Sequence, residues 1–405
     1  MHFLKLFSFF LLPLFFFQCQ KSIDIAVDDC SEEQIDGEPI HPQAEQFQAL
    51  LDKYVNEIGF PGVTMVIYSP TDGKWVGSAG YSRLENQTPM QPCNIFHSAS
   101  VAKTYHTTAA MLLQEEGRLD LDQTVASYMP KSTCADLPNL NSATVRQLMN
   151  HTSGIPDFIE ADAHVLDYFH DLQREFTTQQ YLEYVCGKEP NFPAGAKTEY
   201  SNTNTVLLAL IMDEVAGNHA NVITEKILQP LGLEHTFYKN ETAYPAPTGS
   251  VNTYVDIRGD GELINSTEIE RNFAAMSIGH DGMLASANDY LRFMHALLNG
   301  EIVNENSLAQ MLDYQPYSAS IVWGEGLGLE VTQTPLKTLT RAGHNGGSLG
   351  AANNIFHYVE TNTTIAICSN FGDFLPSPLG QRFYSPLIGN RNTLMGEVEV
   401  LLFGE

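Results

Sequence analysis

The sequence predicts an α/β fold of the α+β type, with one sheet assembled from both ends of a domain and a helical middle. Three observations carry this. A hairpin pattern, GVTMVIYSPTDGKWVGSAG, stands near the beginning; helical periodicity dominates the centre; and strand patterns return only at GLGLEVTQT, LKTLTRAG, NIFHYV and TIAICS. At 405 residues, with no repeat and no long low-complexity linker, the chain is read as one large domain with an inserted lobe.

Taken in order, Lys5 precedes LFSFFLLPLFFF, an apolar run too short to span a bilayer but suited to the core of a secretory signal over residues 1–18. Cys19 follows directly, and FFQCQK resembles a bacterial lipoprotein cleavage site with Cys19 as the lipidated residue. Residues 19–41 read as an acidic tether, because the stretch from 22 to 45 holds eight acids and no Lys or Arg and is too poor in apolar residues to bury a core. The expected location is therefore the periplasm or the cell envelope, with membrane attachment only through a lipid at Cys19.

The folded domain is expected over 42–372. Phe47, Leu50, Leu51, Tyr54, Val55 and Ile58 follow helical spacing, and the next segment turns as a hairpin on Pro70-Thr-Asp-Gly73. Ser100 and Lys103 then open a strong helical pattern, SVAKTYHTTAAMLLQEEG. Three apart, they share a helix face, so hydroxyl and amine can touch. A serine becomes a strong nucleophile only when a base takes its proton, and lysine serves as that base when burial or nearby charge lowers its pKa. Of eleven lysines only Lys103 has a serine three positions earlier, although composition alone yields about one such match. The pair is informative only together with later motifs.

Tyr-x-Asn occurs three times. Tyr54-Val-Asn56 lies within an amphipathic helix, where Tyr54 belongs to the buried stripe, whereas Tyr200-Ser-Asn202 sits between a Pro193-Ala-Gly195 loop and the run TNTVLLALIMDEVAG, a loop-to-helix junction that projects side chains into a cleft. His-x-Gly occurs at His280-Asp-Gly282 and His344-Asn-Gly346; the second lies among strand patterns and is preferred. Gly346-Gly-Ser348-Leu-Gly350 also fits the G-x-S-x-G elbow, but the elbow needs a helix after the serine and strand patterns follow here.

The joint order of Ser100-x-x-Lys103, Tyr200-x-Asn202 and His344-Asn345-Gly346, with flanks such as QLMNHTSGIPD, FPAGAKTEYSN and GHDGMLASANDY, resembles the serine β-lactamase and penicillin-binding-protein-like family: class C β-lactamases, D-alanyl-D-alanine carboxypeptidases and related esterases. The resemblance implies an antiparallel sheet flanked by helices, with a mostly helical subdomain at about 105–290 closing over the site. It implies an acyl-enzyme on Ser100, with Lys103, Tyr200 or both as base, Asn202 orienting Lys103 and the acyl chain, and the amides of Ser100 and Gly347 as oxyanion donors. Asn345 stands where carboxylate-binding relatives often carry a hydroxyl residue, and His344 is largely neutral at pH 7. Substrate-carboxylate recognition is thus expected to be weak unless Arg341 compensates; otherwise Arg341 reads as a solvated strand residue. Ester or amide hydrolysis of esterase or D-alanyl-D-alanine carboxypeptidase type is preferred to class C-like β-lactam hydrolysis. A reading from another class is a catalytically inactive cell-envelope binding module.

A net charge of −27, from 21 basic and 48 acidic residues, argues against nucleic acid as partner. A small molecule or peptide, including peptidoglycan-derived peptides, is the expected substrate. Thirteen histidines lie scattered without HExxH or a Cys/His cluster, so no metal or cofactor is expected; His151 reads as a residue that fixes its loop. The cysteines after Cys19 fix no disulfide connectivity. Residues 373–405 carry no assignable role, and VEVLLF within them suits strand or helix equally.

Overall fold

The computed structural model describes residues 41–129, 133–238, 247–318, 323–334, 338–372 and 377–404. The expected leader, Cys19 and nearly all of the acidic tether lie outside these residues.

The main sheet is built from β1 (Gly62–Ser69), β2 (Gly73–Arg83), β3 (Thr88–Pro89), β4 (Gln315–Pro316), β5 (Trp323–Glu325), β6 (Glu330–Gln333), β7 (Thr340–Gly347), β8 (Ala352–Tyr358) and β9 (Thr363–Ser369). Their spatial order is β3-β2-β1-β9-β8-β7-β6-β5-β4, with every ladder antiparallel. Only the β1–β9 junction joins strands distant in sequence; every other neighbour is consecutive. The first and last strands of the sheet region thus meet at its centre, which is the assembly from both ends that the sequence predicts. The hairpin turns where expected, with Ser69 opposite Gly73 and Gly73 at φ 82°, a left-handed value that suits glycine.

The helices used below are α1 (Ala44–Lys53), α2 (Ala102–Glu115), α3 (Asp162–His170), α4 (Asn202–Ala216), α5 (Thr267–Met276), α6 (Ala287–Leu298) and α7 (Leu394–Phe403). Alternation along β1 shows why two layers are needed. Val63, Met65 and Ile67 pack with Phe47, Leu50 and Leu51 of α1 and Leu394, Met395 and Val398 of α7. Val66 faces the opposite core, shared with α2, α4 and α6. The segment between β3 and β4 holds helices α2 to α6 and two small sheets.

Helix α2 is buried almost all round despite its polar sequence. Its threonines make this tolerable: Thr108 Oγ1 donates to the Thr104 carbonyl (2.7 Å), Thr107 to Lys103 (3.0 Å), and Thr104 to the Gly328 carbonyl (2.8 Å). Cys134 and Cys186 form a disulfide within the inserted segment, Cys93 is also disulfide-bonded, and Cys368 is a buried free thiol.

One expectation needs correction, and the rejection of Ser348 as an elbow nucleophile agrees with the structure. Arg341, read as a solvated residue or a substrate-carboxylate ligand, is fully buried. It donates to Glu399 Oε1 (2.7 Å) and to the carbonyls of Ser385 and Pro386, over the ring of Phe356. The cause lies in the chain end, where VEVLLF is part of α7 and brings Glu399 against β7. Ser348 in turn lies between two adjacent strands, and its Oγ accepts the Ala351 and Gly350 N–H groups (2.9 and 3.2 Å). It is the fixed acceptor of a turn, without the strand-to-helix geometry of a nucleophile elbow.

Candidate active site

Ser100 lies in a short 3₁₀ turn, Ala99–Val101, that runs into α2. Ala99 ahead of it has φ 46°, a left-handed conformation unusual for alanine and of the kind that clusters at functional sites. One turn on, the fully buried Lys103 donates from Nζ to Ser100 Oγ (2.9 Å) and to the His280 carbonyl (3.0 Å). Burial lowers the Lys103 pKa to about 8 against the opposing charges of Asp157, Asp281, Glu325 and Glu330. Desolvation outweighs four carboxylates because none of them forms a contact ion pair with the amine.

Tyr200 completes a triangle. Its phenol interacts with Ser100, and Lys103 Nζ lies 5.0 Å from its ring centroid. Burial, reinforced by Glu325, Glu330 and Asp157, holds the Tyr200 pKa well above 10, against the lowering effect of the Ser100 side chain. The phenol is therefore neutral. His151 fixes this residue, its ring stacked on Tyr200 at 4.3 Å and its Nδ1 accepting the Ser201 N–H (3.1 Å). That is the loop-fixing role expected of it. His151 itself has φ 56°, and burial lowers its pKa.

Asn202 differs from expectation. Its backbone N–H and side-chain amide both donate to Asp157 Oδ2 (3.0 and 2.7 Å), while the hydrogen bonds from Lys103 go to Ser100 and His280. Asn202 thus holds the Asp157 carboxylate at the start of α4, and a backbone carbonyl from the other His-x-Gly segment orients the lysine.

On β7, Asn345 and Gly347 line the cleft together with Ser100, Tyr200 and Asn202. His344 is only 1% exposed, and its ring Nδ1 bonds the Asn345 carbonyl and lies 3.5 Å from Glu330 Oε1. Burial lowers its pKa despite Glu330, so it supplies no cation. Gly346 is required by a close approach of chain segments: a Cβ there would stand 2.4 Å from the Ser98 carbonyl oxygen.

The cleft has a volume of about 690 Å³. Sequence reasoning missed its carboxylates. Asp157, Asp281, Glu325 and Glu330 come from four separate segments, none with a spacing that marks it. The one available signal was adjacency to recognised segments: Asp157 ends QLMNHTSGIPD and Asp281 lies within GHDGMLAS.

The Beta-lactamase family profile matches residues 47–382. A penicillin-binding protein of Bacillus subtilis is 25% identical over 304 residues, 72% of this chain; the chain spans 64% of that relative's length. Among solved structures, a D-stereospecific amidohydrolase from Streptomyces aligns with a TM-score of 0.73 at 25% identity, covering 82% of this chain and 95% of that one. A D-amino acid amidase from Ochrobactrum anthropi aligns at 0.68 and 25%, covering 81% and 91%. With the sheet order, the Ser100–Lys103–Tyr200 triangle and a profile match over most of its length, this chain belongs to the beta-lactamase family of serine hydrolases.

Proposed function

We propose that the protein hydrolyses amide or ester bonds of D-amino-acid derivatives through an acyl-enzyme on Ser100. The observation that carries this reading is the 2.9 Å contact between Ser100 Oγ and a buried lysine whose pKa falls to about 8. Neutral Lys103 takes the Ser100 proton as Oγ bonds to the carbonyl carbon. The resulting oxyanion is held by the Ser100 and Gly347 N–H groups. Collapse breaks the bond to the leaving amine or alcohol, which receives the proton from Lys103 by way of the Tyr200 hydroxyl. The same groups then take a proton from water, which attacks the ester and frees Ser100. Tyr200 acts as a neutral relay, because burial and, after it, the surrounding carboxylates disfavour its phenolate. The D-configuration is suggested by the activities named for the two structural neighbours.

Class C-like β-lactam hydrolysis is the weaker reading. No Lys or Arg side chain lines the cleft among the described residues, His344 is neutral and Arg341 is committed to Glu399. The binding-module reading is weaker still, since a module has no use for a base tuned beside a nucleophile.

Incubation with a fluorophosphonate followed by intact-mass measurement tests the proposal. A single adduct that disappears in Ser100→Ala is expected; two folded proteins without any adduct would remove the hydrolase reading. Export belongs to the same reading, since the Cys134–Cys186 bridge suits an oxidising compartment. Lipidation of Cys19 is tested by globomycin-sensitive processing and by a lipid mass on that residue, and a mature chain starting elsewhere would refute it.

A further inference from the structure

We propose that the substrate enters this cleft with a protonated amine held by Glu325 and an apolar or aromatic group lying against α3. The inference rests on the hydrolase reading above and specifies its substrate. Six carboxylates line the cleft: Asp157, Glu160, Glu270, Asp281, Glu325 and Glu330. Most have other commitments. Asp157 accepts two groups of Asn202; Asp281 accepts Ser98 Oγ and the Gly282 N–H; Glu330 accepts the Asn345 N–H and the Tyr384 hydroxyl; Glu160 is exposed at the rim.

Glu325 is different. It is 2% exposed, its Oε1 accepts the Tyr317 hydroxyl, and its Oε2 has no partner. A buried acceptor without a donor is unfavourable, and an incoming ammonium supplies one. Glu325 also stands directly opposite Glu330 in the β5–β6 ladder, where two ionised carboxylates would repel across the strand pair. Burial, and after it that neighbour, raise the Glu325 pKa to about 8, so the carboxyl keeps its proton near neutral pH, and a cation placed beside it favours the ionised form.

Glu270 also has an unpartnered oxygen, Oε1, but its neighbours are Asp281, Ser348 and Gly350. Glu325 lines the same cleft as Ser100 and Tyr200, and its charge acts on both Lys103 and Tyr200. This placement matters because the nitrogen of an α-amino acyl group is only two bonds from the carbonyl carbon. The cleft lining also holds apolar residues, Val165 and Phe169 of α3 together with Ile159 and Phe273. Phe169 is 50% exposed and Val165 38%, leaving apolar surface for a side chain to cover.

The test compares kcat/KM for D-phenylalanine p-nitroanilide and its N-acetyl derivative. The wild-type protein should prefer the free amine by about tenfold or more, and Glu325→Gln should remove most of that preference. Equal rates on the two substrates, or a preference for the acetylated one, would overturn the proposal. So would loss of the preference in Glu270→Gln but not in Glu325→Gln. Should Glu325→Gln fail to fold, protection of the wild-type Ser100 from fluorophosphonate decides: 2-phenylethylammonium should protect at lower concentration than 3-phenylpropionate, and the reverse order refutes the assignment. Labelling by fluorophosphonate with indifference to the amine sinks this inference alone, whereas absence of labelling removes the hydrolase reading beneath it.

Discussion

At the scale of single residues the chemistry depends on Lys103 losing its proton while four carboxylates surround it. The base form dominates above a pKa of about 8, so the rate should rise with pH through that value and level off beyond it. A steady-state pH profile of kcat/KM checks this; a rising limb near the ordinary lysine value of about 10.4 would show that burial does not tune the amine. Lys103→Ala should lower kcat by about 10²- to 10⁴-fold, with the fold retained by circular dichroism. Serine and lysine three apart at a helix start were legible from spacing alone. The pKa was not, because desolvation sums over atoms contributed by every element around the amine.

At the scale of elements, β7 is held in place from both sides. Gly346 lets it approach the Ser98 carbonyl, and Gly346→Ala places a Cβ at 2.4 Å from that oxygen. The strand must then retreat from the nucleophile turn, and kcat should fall by about 100-fold, read from turnover of any accepted amide. From the other side, Arg341 and Glu399, both essentially inaccessible, join β7 to α7 at 2.7 Å. Glu399→Ala leaves a buried guanidinium without its carboxylate and should cost about 3–5 kcal/mol in urea denaturation. The double variant Arg341→Met, Glu399→Leu should recover much of that loss, since no buried charge remains. The sequence placed Arg341 on a strand correctly but did not show its burial, because the covering helix lies some fifty residues later in a run too short for its periodicity to separate helix from strand.

At the scale of the whole molecule, the inserted segment must stay folded against the sheet for the cleft to exist, and the Cys134–Cys186 bridge closes a separation of 52 residues within it. Reduction should cost about 4 kcal/mol by loop-closure entropy, measured as a lower thermal midpoint with dithiothreitol; an unchanged midpoint would show that the bridge is dispensable. The sequence by itself determined the sheet drawn from both ends of the domain and the order Ser100, Lys103, Tyr200, His344, because alternation, helical spacing and turn chemistry act over a few residues and are written locally. Tertiary structure alone decided that His344 is buried and neutral, that Asn202 serves Asp157, that the His280 carbonyl holds the lysine, and that Glu325 and Glu330 face one another across a ladder. Those relations join segments up to about two hundred residues apart, and solvent exclusion, which sets the charge of each group, exists only once those segments have packed together.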